Sequence, residues 1–143
     1  MIKTVIFDMD GLLIDSEPIW QKTHMETLNS LGVPVKPHMM KITAGLRTNE
    51  VVDYWYEKYP WKEISIQKVS EKIDATAAIR IKHAGKAKKG VTKVLNLLKT
   101  HNVTIGLASS SKMNVIEAVL ERFKIRHYFS YIHSAEYEEY GKP

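Results

Sequence analysis

The chain has 143 residues, enough for one domain or a small core with a subdomain, and its hydrophobic share of 44% and charged share of 26% are those of a globular protein. It has no cysteine, which excludes disulfides and cysteine-held metals, and no apolar run near the roughly 20 residues that span a bilayer, so a reducing cytoplasm is expected and no membrane partner. The formal charge of +5 could recruit anions, but the densest basic stretch (Lys82, Lys86, Lys88, Lys89, Lys93) has no interleaved aromatics to stack bases, and no nucleic acid is expected as partner.

The chain opens with an apolar run, Thr4 to Phe7, that reads as a short strand buried on both faces, as in parallel α/β sheets. Asp8 and Asp10 follow at its carboxyl end, where open α/β sheets bind ligands. Period-two geometry points both carboxylates the same way, with Met9 opposite. Two acids beside a phosphate repel it unless a hard cation such as Mg²⁺ is held between them by oxygens. The economical division of labour makes Asp8 the nucleophile and Asp10 the general acid and then the general base. Gly11 lets the backbone turn close to a ligand.

The run FDMDGLLIDSEP resembles the first motif of the haloacid dehalogenase-like phosphatases, in the subgroup with a helical cap inserted directly after it. Within that subgroup DGLLIDSEPIW together with GLRTNEVVDYW is similar to the 2-deoxyglucose-6-phosphate phosphatase type. The resemblance implies Mg²⁺ at Asp8 and Asp10 and a small phosphorylated sugar or sugar alcohol as substrate. It also brings a rival, the β-phosphoglucomutase type, which carries a cap-helix histidine about where Trp20 stands here; its absence favours hydrolysis.

Further along, helical spacing over Glu17 to Leu31, with Asp15 or Ser16 as N-cap and Gly32 as stop, predicts a first helix. A short helix over His38 to Thr43, a helix over Arg47 to Tyr59 ended by Pro60, and a long one from Ile64 to about Ala84 follow. These read as a cap over the site, with Leu12 to Ser16 and His83 to Gly90 as hinges, the second loosened where the family's usual Pro-Gly pair is Lys89-Gly90. Val91 begins another helix, Val103 to Ala108 reads as a second strand, Lys112 to Phe123 as a helix, and Phe129 to Ile132 as a third strand. The expected fold is α/β, a Rossmann-like parallel sheet of three visible core strands, divided as 1–16 core, 17–84 helical cap and 85–143 core.

Ser109, Ser110 and Ser111 lie between a strand and a helix, where hydroxyls and free N–H groups either hold a phosphoryl group or simply cap the helix. Their surroundings resemble the family's second motif, which makes Ser109 a hydroxyl donor and Ser110 a backbone donor. Lys112 reads as electrostatic help or as a solvated first-turn lysine. Gly141-Lys142-Pro143 resembles the third motif, whose lysine neutralises phosphoryl oxygens. Ala44-Gly45-Leu46-Arg47 resembles the specificity loop; the alternatives are a helix stop for Gly45 and a surface ion pair for Arg47. Trp20, Tyr54, Trp55, Tyr56 and Trp61 line a sugar pocket or, on their helical spacing, pack the cap core. The family's further acidic motif and the strand carrying it are not in the sequence, which would leave the first strand with an open edge for self-association. A fragment of a longer phosphatase, or a shortened module that binds without turnover, both fit. Glu136, Glu138 and Glu139 read as solvated loop acids.

Overall fold

The computed structural model describes residues 2–139. Three parallel strands, β1 (Thr4–Phe7), β2 (Thr104–Ser109) and β3 (Tyr131–Ser134), lie in the order β1-β2-β3, with Phe7 beside Leu107 and Ser109 beside Ser134. Between β1 and β2 run α1 (Glu17–Ser30), a 3-10 stretch (Pro37–Thr43), α2 (Thr48–Lys58), α3 (Ile66–Ala84) and α4 (Val91–Thr100); α5 (Met113–Phe123) joins β2 to β3. The predicted helices are all present to within a residue or two.

Two apolar clusters organise the molecule. The first joins Ile105 and Leu107 of β2 to Leu95 of α4 and to Val115, Ile116, Val119 and Leu120 of α5. The second lies wholly among the helices, with Leu28, Val52, Trp55, Val69 and Ile73 at its centre. Helix α3 belongs to both, through Val69 and Ile73 at one end and Ala78 and Ile81 at the other, and Trp20 packs against each.

Two expectations are corrected, and a third, Ser16 as N-cap of α1, holds in position alone. β1 is not buried on both faces: successive crossovers in one direction put α4 and α5 on the same side of the sheet. Ile6 and Tyr131, which flank Gly106 in register on the other side, remain 70% and 71% exposed. β3 begins two residues later than predicted, because a 3-10 turn over Arg126–Tyr128 delivers Phe129 into the core before pairing starts. Ser16 stands at the N-cap of α1 but makes no capping bond, since its hydroxyl is drawn to Asp10.

The two expected hinges pair with each other. Ile14 bridges Ala87, the Asp15 N–H donates to the Lys86 carbonyl at 2.9 Å, and Lys88 Nζ lies 2.8 Å from Asp15 Oδ1. Gly90, at φ 92°, is the N-cap of α4, a conformation that disfavours any side chain. Among the described residues β1 has one neighbour, β2, and so forms an edge of the sheet.

Candidate active site

The carboxyl end of β1 opens into a cleft of about 520 Å³ between the sheet and the helices, within the range of small-ligand pockets. Asp8, Asp10 and Gly11 line it from β1, Ser110 and Ser111 from the loop after β2, and Gly45 and Arg47 from the helical side. Residues 8 and 109 are brought together because β1 and β2 pair in parallel and end at the same edge.

Asp10 accepts hydrogen bonds on both of its carboxylate oxygens. Ser16 Oγ and Trp20 Nε1 donate to its Oδ1 at 2.6 and 2.9 Å, and Ser111 Oγ donates to its Oδ2 at 2.7 Å. Ser109 Oγ is 3.4 Å from the same Oδ2 and accepts the Ser111 N–H at 3.1 Å. Ser109 is 3% exposed, so its hydroxyl closes the inner end of the network. The Asp8 carboxylate accepts the Met9 N–H at 2.7 Å. Gly11, at φ 76°, adopts the left-handed turn that the motif anticipates, and its N–H returns to the Ile14 carbonyl.

The outer candidates divide. Gly45, at φ 85°, ends the 3-10 stretch, and Arg47 lines the cleft while paired with Glu50, its Nη2 3.0 Å from Oε1. Lys112 does not line the cleft: its ammonium is 2.9 Å from Asp74 Oδ2 on α3. Lys142 lies outside the described residues. Two of the loop acids hold neighbours in place. Glu136 Oε1 accepts the Met113 N–H at the start of α5, and Glu138 pairs with His133 at 2.8 Å while its carbonyl takes Arg47 Nη1 at 3.4 Å.

Sequence reasoning passed over Ser16, Trp20 and Ser111 as partners of Asp10. The first two stand four apart on the opening turn of α1 and so share one face, the signal that could have found them. Two hard carboxylates on one cleft suit an oxygen-seeking cation that keeps water and substrate oxygens as its other ligands. No cluster of three or more metal-ligating side chains occurs among the described residues.

His24, 7% exposed, also reaches the cleft; its Nδ1 lies 2.9 Å from the Trp20 carbonyl and its Nε2 has no hydrogen-bond partner among the described residues. Burial holds its pKa below the ordinary 6.5, against the smaller opposing pulls of the Trp20 carbonyl and the Asp74 charge. The unfolded chain therefore takes up this proton at higher pH than the folded one. Its contribution to stability is present above pH 6.5 and is lost as pH falls from there toward the folded value. Thermal unfolding at pH 7.5 and 5.5 should show a smaller loss on acidification in His24→Gln than in the native chain; equal losses would contradict this.

No described helix is long and apolar enough to cross a membrane. The model of the haloacid dehalogenase-like hydrolase family matches residues 5–143. Hexitol phosphatase B of Escherichia coli K12 is 40% identical over 143 residues, covering 99% of this chain and 64% of that protein, so the chain spans somewhat under two thirds of the relative's length. Among solved structures, β-phosphoglucomutase from Clostridium difficile is 25% identical with a TM-score of 0.84, covering 100% of this chain and 66% of its own. CbbY from Rhodobacter sphaeroides in complex with phosphate, 17% identical, has the same fold at a TM-score of 0.88, covering 100% of this chain and 68% of its own. With the match of nearly its whole length to the family model, this chain belongs to the haloacid dehalogenase-like hydrolases.

Proposed function

We propose that the cleft is the site of an Mg²⁺-dependent phosphomonoesterase acting on a small sugar phosphate or sugar-alcohol phosphate, with the helices of 17–84 as its cap. The observation that carries the reading is the meeting of Asp8 and Asp10 with Ser110 and Ser111 on one cleft, with the buried Ser109 hydroxyl behind Asp10. The name of the 40% identical relative supports the substrate class.

In this reading Asp8 attacks phosphorus, the bond to the substrate oxygen breaks, and Asp10 gives the departing alkoxide its proton. Water then enters, Asp10 takes a proton from it, and attack on phosphorus frees Asp8 and inorganic phosphate. Ser109 and the N–H of Ser110 hold phosphoryl oxygens, and Lys142 supplies charge there. Mg²⁺, held through oxygens of Asp8 and Asp10, would offset the charge of two carboxylates and a phosphate. Gly45 and Arg47 face the organic part of the ester from the cap. Trp20 gives Asp10 an N–H donor and stands about where the resemblance puts the cap-helix histidine of mutases, which favours hydrolysis over isomerisation. The reading carries a cytoplasmic setting, with which a chain without cysteine is compatible.

The test is phosphate release by the 143-residue chain from hexose and hexitol phosphates, with isomerisation followed in parallel. Release that requires Mg²⁺ and stops on adding a chelator is expected. Interconversion of hexose phosphates without release would favour the mutase reading, and binding without turnover a phosphate-binding module.

A further inference from the structure

The charges around the cleft bear on what it selects beyond a phosphoryl group, an inference that rests on the phosphoester reading above. Asp8, Asp10 and Glu17 line the cleft, and Arg47 is the one cation among its described lining residues. That guanidinium is already engaged: its Nη2 and Nε both lie 3.0 Å from Glu50 Oε1, and Glu50 Oε2 also takes the Arg47 N–H at 2.8 Å. Lys112 follows directly on Ser110 and Ser111 of the lining, yet its ammonium pairs with Asp74.

Asp74 is an unusual residue for its place. It is 2% exposed, in the middle of α3, and its Oδ1 accepts the hydroxyl of Thr48 at 2.6 Å. Thr48 lines the cleft, so the carboxylate stands immediately behind the wall. Its contact with Lys112, 2.9 Å to Oδ2, is an ion pair by distance, without the alignment of a hydrogen bond. A buried carboxylate is costly unless compensated, and here the compensation consumes the charge of Lys112.

We propose that Asp74, with Glu50, is a specificity-determining residue: by cancelling Lys112 and Arg47 it leaves the α2 side of the cleft without net positive charge. The site then takes monophosphate esters of neutral, hydroxylated carbon skeletons and discriminates against bisphosphates. Gln21, Thr43 and Thr48 line the cleft as neutral polar groups, and the Thr48 hydroxyl, whose hydrogen goes to Asp74, keeps oxygen lone pairs that can accept from a substrate hydroxyl. A second phosphoryl group would give up its hydration there and meet cations already paired with carboxylates.

The experiment is calorimetric titration of the full chain, carrying Asp8→Asn throughout to prevent turnover, with glucose 6-phosphate and glucose 1,6-bisphosphate in Mg²⁺. Adding Asp74→Asn should tighten the bisphosphate about 10-fold, the order of one charge-assisted contact, and leave the monophosphate within about twofold. Adding Lys112→Met to Asp74→Asn should abolish the gain, because the freed ammonium is its source. Glu50→Gln should act in the same direction through Arg47, which keeps the test decisive if Asp74→Asn loosens the fold. Bisphosphate affinity unchanged in both Asp74→Asn and Glu50→Gln overturns the inference, as does a gain that persists without Lys112; in either case monophosphate binding would leave the phosphoester reading standing. If neither ester binds any variant, that reading fails and this inference falls with it.

Discussion

Asp8→Asn is expected to abolish phosphoester hydrolysis, reducing it by about 10³-fold or more, because the amide oxygen is a poor nucleophile while size and hydrogen bonding are nearly conserved. The Asp8 carboxylate accepts the Met9 N–H, a bond that the asparagine oxygen can keep, and the variant is expected to remain folded. Phosphate release and circular dichroism measured together check both halves of the expectation. Ser16→Ala makes a useful contrast, since it removes one of several donors to Asp10 and should slow turnover far less. Turnover retained in Asp8→Asn would move the nucleophile elsewhere.

The largest stability effect is expected at Trp55. Its ring is 1% exposed, sits in the helical cluster with Val52 and Ile73, and makes an edge-to-face contact with Tyr54 and a stacked one with Tyr59. Trp55→Ala should cost about 3–5 kcal/mol through lost burial and a residual cavity, a large part of the roughly 5–15 kcal/mol that holds a typical domain. Trp55→Phe should cost about 1.5 kcal/mol or less, because the indole Nε1 has no hydrogen-bond partner among the described residues and its removal relieves an unsatisfied buried donor. Denaturant unfolding of the two variants measures the difference. Equal losses would show that the cluster tolerates the cavity or that the N–H is satisfied.

Local chemistry made most of this architecture readable. The apolar stripe of Val51, Val52 and Trp55, with Pro60 beyond it, marked α2, and Val115, Ile116, Val119 and Leu120 marked the buried face of α5. The site's inner half was legible for the same reason, since Asp8, Asp10 and Ser109 each stand at a strand end, where position in sequence determines position in space. What a sequence does not display is contact between elements far apart in the chain. Lys112 could be weighed only as a phosphate helper or a surface lysine, because its partner, Asp74, stands 38 positions earlier on another helix. A signal was nevertheless there: Ser70 and Asp74 are four apart on the buried stripe of α3, where a carboxylate needs a partner. The open face of β1 was misjudged because Val5 and Phe7 are apolar and so is Ile6, and composition alone does not say on which side the helices lie.

The central claim, that Asp8 accepts a phosphoryl group in this cleft, is tested most directly by ¹⁹F NMR of the chain with Mg²⁺ and trifluoroberyllate, which mimics a phosphoryl group on a carboxylate. The account predicts bound fluorine resonances in the native chain that disappear in Asp8→Asn. Absence of bound signal in the folded native chain, or its persistence in Asp8→Asn, would contradict it.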